Sequence, residues 1–444
     1  MMMKRQSMIS SSTLAIQELG LSKKVNWLLV AAVACTFANG LVISLWVFPA
    51  VSGPVGLENF GDGWAQIGEN IVKGYGFVYD PTMASTFMTG HLKREPVYSL
   101  FLALILALFD KLDPYMFLFQ ALINSLTCFL LYFIVSKSFN RQTALLACFL
   151  YAFYPFTSWY VPRIAYETLL GFFVAALVLG LVNLFERLSY RRALFVGLLI
   201  GITVLCRGIY LLFPFALLLG LVARFRGRNK LVIGCWLTAV VAMLIVLSPW
   251  VVRNYSSSRE FVPATTQGGI SYFIGNKVVE YYSLHANTAG YRPEEEGDRL
   301  YNEIRDSVSS QNPSLSNAQV EVQADKRLVR MAIEDITAQP LTFIKKILKG
   351  VVLVWFVGDT GLKSTALLLM QAPVLFLGII GIFYSLRTKK PVMPLMTVLL
   401  YSVLIQTALS PYGRYSYPMV PILIAFAAYF LDSFGRKYFP ATTS

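Results

Sequence analysis

Residues 231–251 read LVIGCWLTAVVAMLIVLSPWV, twenty-one positions without a charge. A helix that crosses a bilayer needs about 20 such residues, so this stretch reads as a membrane span. What flanks it sets its direction. Arg224, Arg226, Arg228 and Lys230 precede it, whereas a long acid-rich segment follows it. Lys and Arg collect in the cytoplasmic loops of membrane proteins. The span therefore runs outward, and the acid-rich segment lies outside.

Working outward from it, further apolar runs occur at 27–49, 116–136, 142–160, 165–185, 193–206, 208–223, 362–386, 391–409 and 416–432. The count is ten, within 8–12. The pair 193–206 and 208–223 is short and separated only by Arg207-Gly208, which suits broken or tilted helices. The short loops at 137–141, 187–192, 224–230 and 387–390 are basic, as are both ends of the chain. Of the 24 acids, 7 fall between Glu58 and Asp113 and 12 between Glu260 and Asp335. Ten spans return the C-terminus to the cytoplasmic side.

The expected organisation is a cytoplasmic N-terminus (1–26), a transmembrane core (27–251) with an outer loop at 51–115, an extracytoplasmic loop domain (252–350) and C-terminal spans (351–444). The fold class is an all-α polytopic membrane protein with interfacial helices and a small extracytoplasmic domain, placed in the plasma (inner) membrane. Within the outer loop, Trp64, Ile67 and Ile71 sit at helical spacing. The run Pro96–Phe109 is too short to cross and reads as interfacial or re-entrant. Residues 316–337 have helical character, and Pro340–Phe356 reads as another interfacial helix. The N-terminal run is too long for a cleavable signal.

Composition agrees. The 444 residues are 56% hydrophobic and 14% charged, with mean hydropathy +0.59. Soluble chains carry about 25% charged residues, so cytosolic enzymes and disordered proteins are excluded. The net charge of +14 follows from the positive-inside bias and does not point to nucleic acid. Five cysteines, all in or beside apolar runs, give no disulfide framework.

Polar residues at the outer ends of spans are the candidates for chemistry. Asp62 lies between the first span and the Trp64 helix. It reads either as that helix's N-cap or as a general base at the mouth of a pocket. Arg94, Arg163, Arg207, Arg253 and Arg414 border spans at their outer ends, where loop charge bias does not demand them. Snorkelling explains any one of them; five at one level suit a phosphate, which a guanidinium grips with two hydrogen bonds. Glu167 opens the fourth span, either solvated or turned into a pocket. No motif requires a cofactor. A divalent metal is left open, with His91, Glu95 and His285 as weak candidates, and satisfied polar roles are the simpler reading for them. Walker, dinucleotide and nucleophile-elbow motifs are absent from the sequence.

The order Asp62, Ala65, Asn70, Gly74-Tyr75-Gly76-Phe77 and Arg94-Glu95-Pro96-Val97-Tyr98 resembles the first outer loop of GT-C glycosyltransferases. Further landmarks are Pro155 and Glu167; Gly201 and Leu205-Cys206-Arg207; Pro249-Trp250 and Arg253-Asn254-Tyr255; Gly275-Asn276; and Gly413-Arg414-Tyr415 with Pro418. The branch they resemble holds protein O-mannosyltransferases and the lipid A aminoarabinose transferase. The resemblance implies transfer of a sugar from a polyprenyl-phosphate donor to an acceptor glycan, lipid or protein outside the membrane. Membrane lipids surround the chain, and no nucleic acid takes part. It makes Asp62 the catalytic base. Many relatives have an adjacent acidic pair there; here Gly63 follows, leaving Glu58 or Glu167 as the supporting acid. Arg94, Arg207, Arg253 and Arg414 are assigned to the donor phosphate, and Tyr98, Arg163, Asn254 and Tyr415 to the substrate pocket. Two other readings stay open: a transporter or flippase of lipid-linked sugars, and a polysaccharide polymerase or ligase.

Overall fold

The computed structural model describes residues 23–52, 63–79, 92–284, 293–358 and 360–438, which are helical without a strand. The expected runs all become helices, but not of one kind. Six are long and apolar enough to cross a membrane: Trp27–Val51, Tyr115–Ser138, Glu167–Glu186, Asn229–Ser258, Gly361–Arg387 and Gly413–Tyr438. The other four runs are shorter because the sequence breaks them. Pro155 restarts the chain after Arg141–Phe153, while Pro214 and Pro394 sit in the first turns of Phe213–Arg224 and Met393–Ala408. Proline fits a first turn and cannot extend a helix already begun.

In chain order, α1 is Lys23–Val42, continued by a π-helical turn and Phe48–Ser52. Next come α2 (Trp64–Val72), α3 (Pro96–Phe109), α4 (Tyr115–Ser138), α5 (Arg141–Phe153), α6 (Glu167–Glu186), α7 (Tyr190–Cys206), α8 (Phe213–Arg224) and α9 (Asn229–Ser258). The loop domain is α10 (Gly268–Leu284), α11 (Pro293–Gln311) and α12 (Asn317–Ala338), followed by α13 (Pro340–Leu353). Helices α14 (Gly361–Arg387), α15 (Met393–Ala408) and α16 (Val420–Tyr438) complete the bundle.

Lipid supplies no hydrophobic drive between helices, so close backbone packing holds a membrane bundle together. Gly197 and Gly201 put one glycine per turn on α7, facing α9. A Cβ on Gly197 would meet the Ala239 carbonyl oxygen at 2.2 Å, and one on Gly201 would meet Val246 Cβ at 2.6 Å. Away from such seams the surface is apolar, with Leu244 and Ile245 of α9 more than half exposed. In water a band like this would aggregate; in acyl chains it is solvated.

The basic turns gather at one end, where Asn140 caps α5 and also bonds Asp432 of α16, and Lys137 pairs with Glu186 at 3.0 Å. The loop domain and α2 occupy the opposite end. Helix α12, expected over 316–337, begins with a capping box between Ser316 and Gln319. Ile270, Tyr301 and Leu328 form the loop domain's small core. A second cluster, Leu92, Val262, Ala318 and Val322, fastens that domain to the strap that precedes α3.

Candidate active site

The strap Leu92–Glu95 is gripped from two sides. Thr266 donates its amide to the Leu92 carbonyl at 3.0 Å, and Thr265 its hydroxyl to the Lys93 carbonyl at 2.7 Å. On the other side the buried carboxylate of Glu95 accepts the Gly208 amide at 2.8 Å. Gly208 begins the break between α7 and α8. A side chain there would crowd Thr265, Ala264 and Glu95 Oε1 at 3.2–3.3 Å. Arg207, extended at φ −154°, is the last residue before that anchor. The short pair of runs in the sequence is thus a fixed corner that aims one guanidinium.

A cavity of about 250 Å³ opens beside this corner, at the loop-domain end of the bundle. Arg94, Arg207 and Arg414 all line it. The Arg207 guanidinium lies 4.8 Å from the Tyr166 ring and 5.4 Å from the Tyr415 ring. Arg414 lies 4.9 Å from the same Tyr415 ring and donates to its hydroxyl at 3.0 Å. Arg94 sits 5.1 Å from the Trp64 ring. Aromatic faces attract cations without neutralising them, so these rings help to hold the guanidinium groups in place. Across the cavity Glu294 approaches Arg414 at 3.6 Å, and Asp298, one turn further along α11, also lines the wall.

The other candidates lie elsewhere. Arg253 donates to the Phe77 carbonyl at 2.9 Å and to Asn254 Oδ1 at 3.1 Å. Asn254 is buried and donates to the Val262 carbonyl at 3.0 Å. Arg163 is surrounded by the rings of Phe48, Trp159 and Tyr160 at 5.4–5.7 Å. Tyr98 is buried against Trp64, with ring centroids 5.7 Å apart. Glu167 is not solvated; it is buried at the first turn of α6, next to the cavity-lining Tyr166. Asp62, Glu58, His91 and His285 lie outside the described residues. Helix α2 has its N-cap at Gly63, whose carbonyl accepts the Ile67 amide at 3.1 Å. Among the described residues, no group of three His, Cys, Asp or Glu side chains could hold a metal.

Several cavity residues escaped the sequence reading: Lys93, Tyr166, Ser410 and Tyr412, besides Glu294 and Asp298. Lys93 had a signal, being another cation on the outer side beside Arg94. Its ammonium sits 3.6 Å from the Tyr301 ring. Burial lowers its pKa to about 8 against the pull of Glu321, whose own carboxyl is raised by burial to about 7. Glu294 and Asp298 had none, because only the tertiary fold turns that face of α11 onto the cavity.

This geometry has relatives. Residues 93–252 match the family model described as dolichyl-phosphate-mannose-protein mannosyltransferase. The chain superposes on the archaeal oligosaccharyltransferase AglB of Archaeoglobus fulgidus, solved with an inhibitory peptide and a dolichol-phosphate, at TM-score 0.59 and 15% identity. That match covers 94% of this chain and 51% of the other. The apo oligosaccharyltransferase of the same organism matches at TM-score 0.58 and 14% identity, over 92% and 51%. The chain therefore spans about half the length of these proteins. ArnT from Cupriavidus metallidurans, bound to undecaprenyl phosphate, aligns over 94% and 80% at 13% identity, with a TM-score of 0.42 that is too low to carry weight. A search of curated proteins gives no match. The resemblance drawn from the sequence thus holds at the level of architecture: the chain shares the fold of the archaeal oligosaccharyltransferase, and its residues 93–252 match the mannosyltransferase family model.

Proposed function

We propose that the chain is a glycosyltransferase that takes a sugar from a polyprenyl-phosphate donor and passes it, with inversion, to an acceptor hydroxyl on the outer face of the plasma membrane. The observation that carries this is the meeting of Arg94, Arg207 and Arg414 around one cavity at the end of a membrane bundle. A donor whose tail lies among acyl chains would present its phosphate at that level. The dolichol-phosphate in the AglB complex, which shares this fold, supports the reading.

In the proposed step the acceptor oxygen attacks the anomeric carbon as the bond from that carbon to the phosphate oxygen breaks. The acceptor proton passes to the Asp62 carboxylate, and the lipid phosphate leaves with the added negative charge. Arg207 and Arg414 stabilise that charge more in the transition state than in the ground state, which is what accelerates the reaction. Gly63, the neighbour of Asp62, caps α2, and Ile67 of that helix lines the cavity. Placing both basic ends of the chain inside puts the cavity outside. A cysteine at exposed Ser309, labelled by a membrane-impermeant thiol reagent in intact cells, checks that side; protection there would reverse it.

The direct test is Asp62→Asn in a transfer assay with lipid-linked sugars. The amide cannot accept the proton, so turnover should fall by about 10²-fold or more with donor binding kept. Turnover within a few-fold of wild type would place the base elsewhere, with Glu167 and Glu58 next.

A further inference from the structure

Helix α13 carries a charge pattern that the cavity does not use. Residues 340–358 contain Lys345, Lys346 and Lys349 and no acid, within an otherwise acid-rich loop. On the same helix Leu341, Ile344, Leu348, Val351 and Val352 form one exposed apolar stripe. Gly350 seats the helix on α15, close enough that a Cβ would meet Thr407 Cβ at 2.9 Å. Leu400 and Leu404 of α15, the helix on which α13 is seated, are exposed as well. An apolar stripe bordered by lysines is the pattern of a helix that lies at a bilayer surface with its leucines toward acyl chains.

Behind it, between α10, α12 and α13, is a second cavity of about 430 Å³, lined by Tyr272, Asn276, Asp335, Thr342, Lys345 and Lys349. Its acids already have partners. Asp335 accepts the Tyr272 hydroxyl at 2.5 Å, and Glu280 pairs with Lys277 at 3.4 Å. Lys346 is buried and donates to the Tyr272 carbonyl at 3.0 Å. Lys345 and Lys349 line the cavity and are exposed, next to the apolar stripe of α13.

We propose that this cavity holds the headgroup of an anionic glycerophospholipid, with its phosphate at Lys345 and Lys349 and its acyl chains along Leu341, Ile344 and Leu348. Lysines beside an apolar stripe match a lipid's own order of phosphate then hydrocarbon, and each lysine near an anionic surface adds attraction. The site is tied to the first cavity. The Val357 carbonyl, just past α13, accepts the Gly413 amide at 2.7 Å, beside Arg414. Tyr272 follows Ser271, which lines the first cavity. A bound lipid would brace the loop domain over the arginines.

The experiment uses the full chain purified in detergent, offered phosphatidylglycerol and phosphatidylcholine in equal amounts, with retained lipid read by native mass spectrometry. Wild type should keep phosphatidylglycerol in preference. Lys345→Gln/Lys349→Gln should lower that retention on the order of tenfold, with gel filtration confirming an intact fold. Arg387→Gln, at the opposite end of the bundle, should leave it unchanged. Equal retention of the two lipids, retention unaltered in the double variant, or equal loss in Arg387→Gln would overturn the proposal. So would soluble glycerol phosphate binding as tightly as the lipid, since the membrane would then not be the source. No sugar donor enters the assay, so its outcome is independent of the transferase reading.

Discussion

Glu95 and Gly208 stand 113 residues apart in sequence and one hydrogen bond apart in space, the carboxylate accepting the amide at 2.8 Å. That bond joins the strap before α3 to the corner between α7 and α8, and both carry a cavity arginine next door, Arg94 and Arg207. Leaving a buried donor unpaired costs about 1–3 kcal/mol. Glu95→Ala should therefore lower detergent stability and raise the apparent KM for the lipid donor. Glu95→Gln keeps an acceptor and should recover most of the KM. Equal KM values for the two variants would show that the bond does not position Arg207.

Arg207 and Arg414 share the Tyr415 ring and face one cavity, whereas Arg253 is held by Phe77 and Asn254. A hydrogen bond to a charged group contributes about 1.5–3 kcal/mol. Arg207→Ala and Arg414→Ala should each weaken donor binding by about tenfold or more, with lysine a poor substitute where two bonds are made at once. Arg253→Ala should appear chiefly as lost thermal stability. Wild-type donor affinity in both cavity variants would remove the phosphate site.

The loop domain should titrate. The Glu321 carboxyl is raised by burial from 4.5 to about 7, and Asp325 from 3.8 to about 6. Between those limits the folded chain holds more protons than the unfolded one, so stability is highest at the acid end and falls as pH rises to about 7. Lys93, lowered by burial from 10.5 to about 8, works in the opposite sense, and stability recovers as pH rises from about 8 toward 10.5. Detergent melts of Glu321→Gln, which keeps an acceptor for the Thr266 hydroxyl, should fall less steeply between pH 5 and 7 than wild type. A slope equal to wild type would show that Glu321 stays ionised.

Much of this was legible in the sequence because a bilayer imposes simple rules. Apolar length marks a span wherever the run exceeds the membrane's thickness, as at 231–251. Arginines at 207 and 414 stood out because charge bias does not place them there. Pattern could not show which arginines meet. Arg253 looks like Arg207 in sequence, yet its partner is the Phe77 carbonyl, 176 residues earlier. Glu95 read as a metal candidate because its amide partner is far along the chain. Glu294 and Asp298 sit in a solvated acidic helix, and nothing local separates them from Glu295 or Glu303.

The most direct test is a structure of the full chain with polyprenyl phosphate bound. The expected result places the lipid phosphate within hydrogen-bonding distance of the Arg207 and Arg414 guanidinium groups, with the tail leaving the cavity toward the membrane. Arg207→Ala/Arg414→Ala should not hold the lipid there. A phosphate bound away from both arginines, or a double variant that binds it in the same place with unchanged affinity, would contradict the central claim.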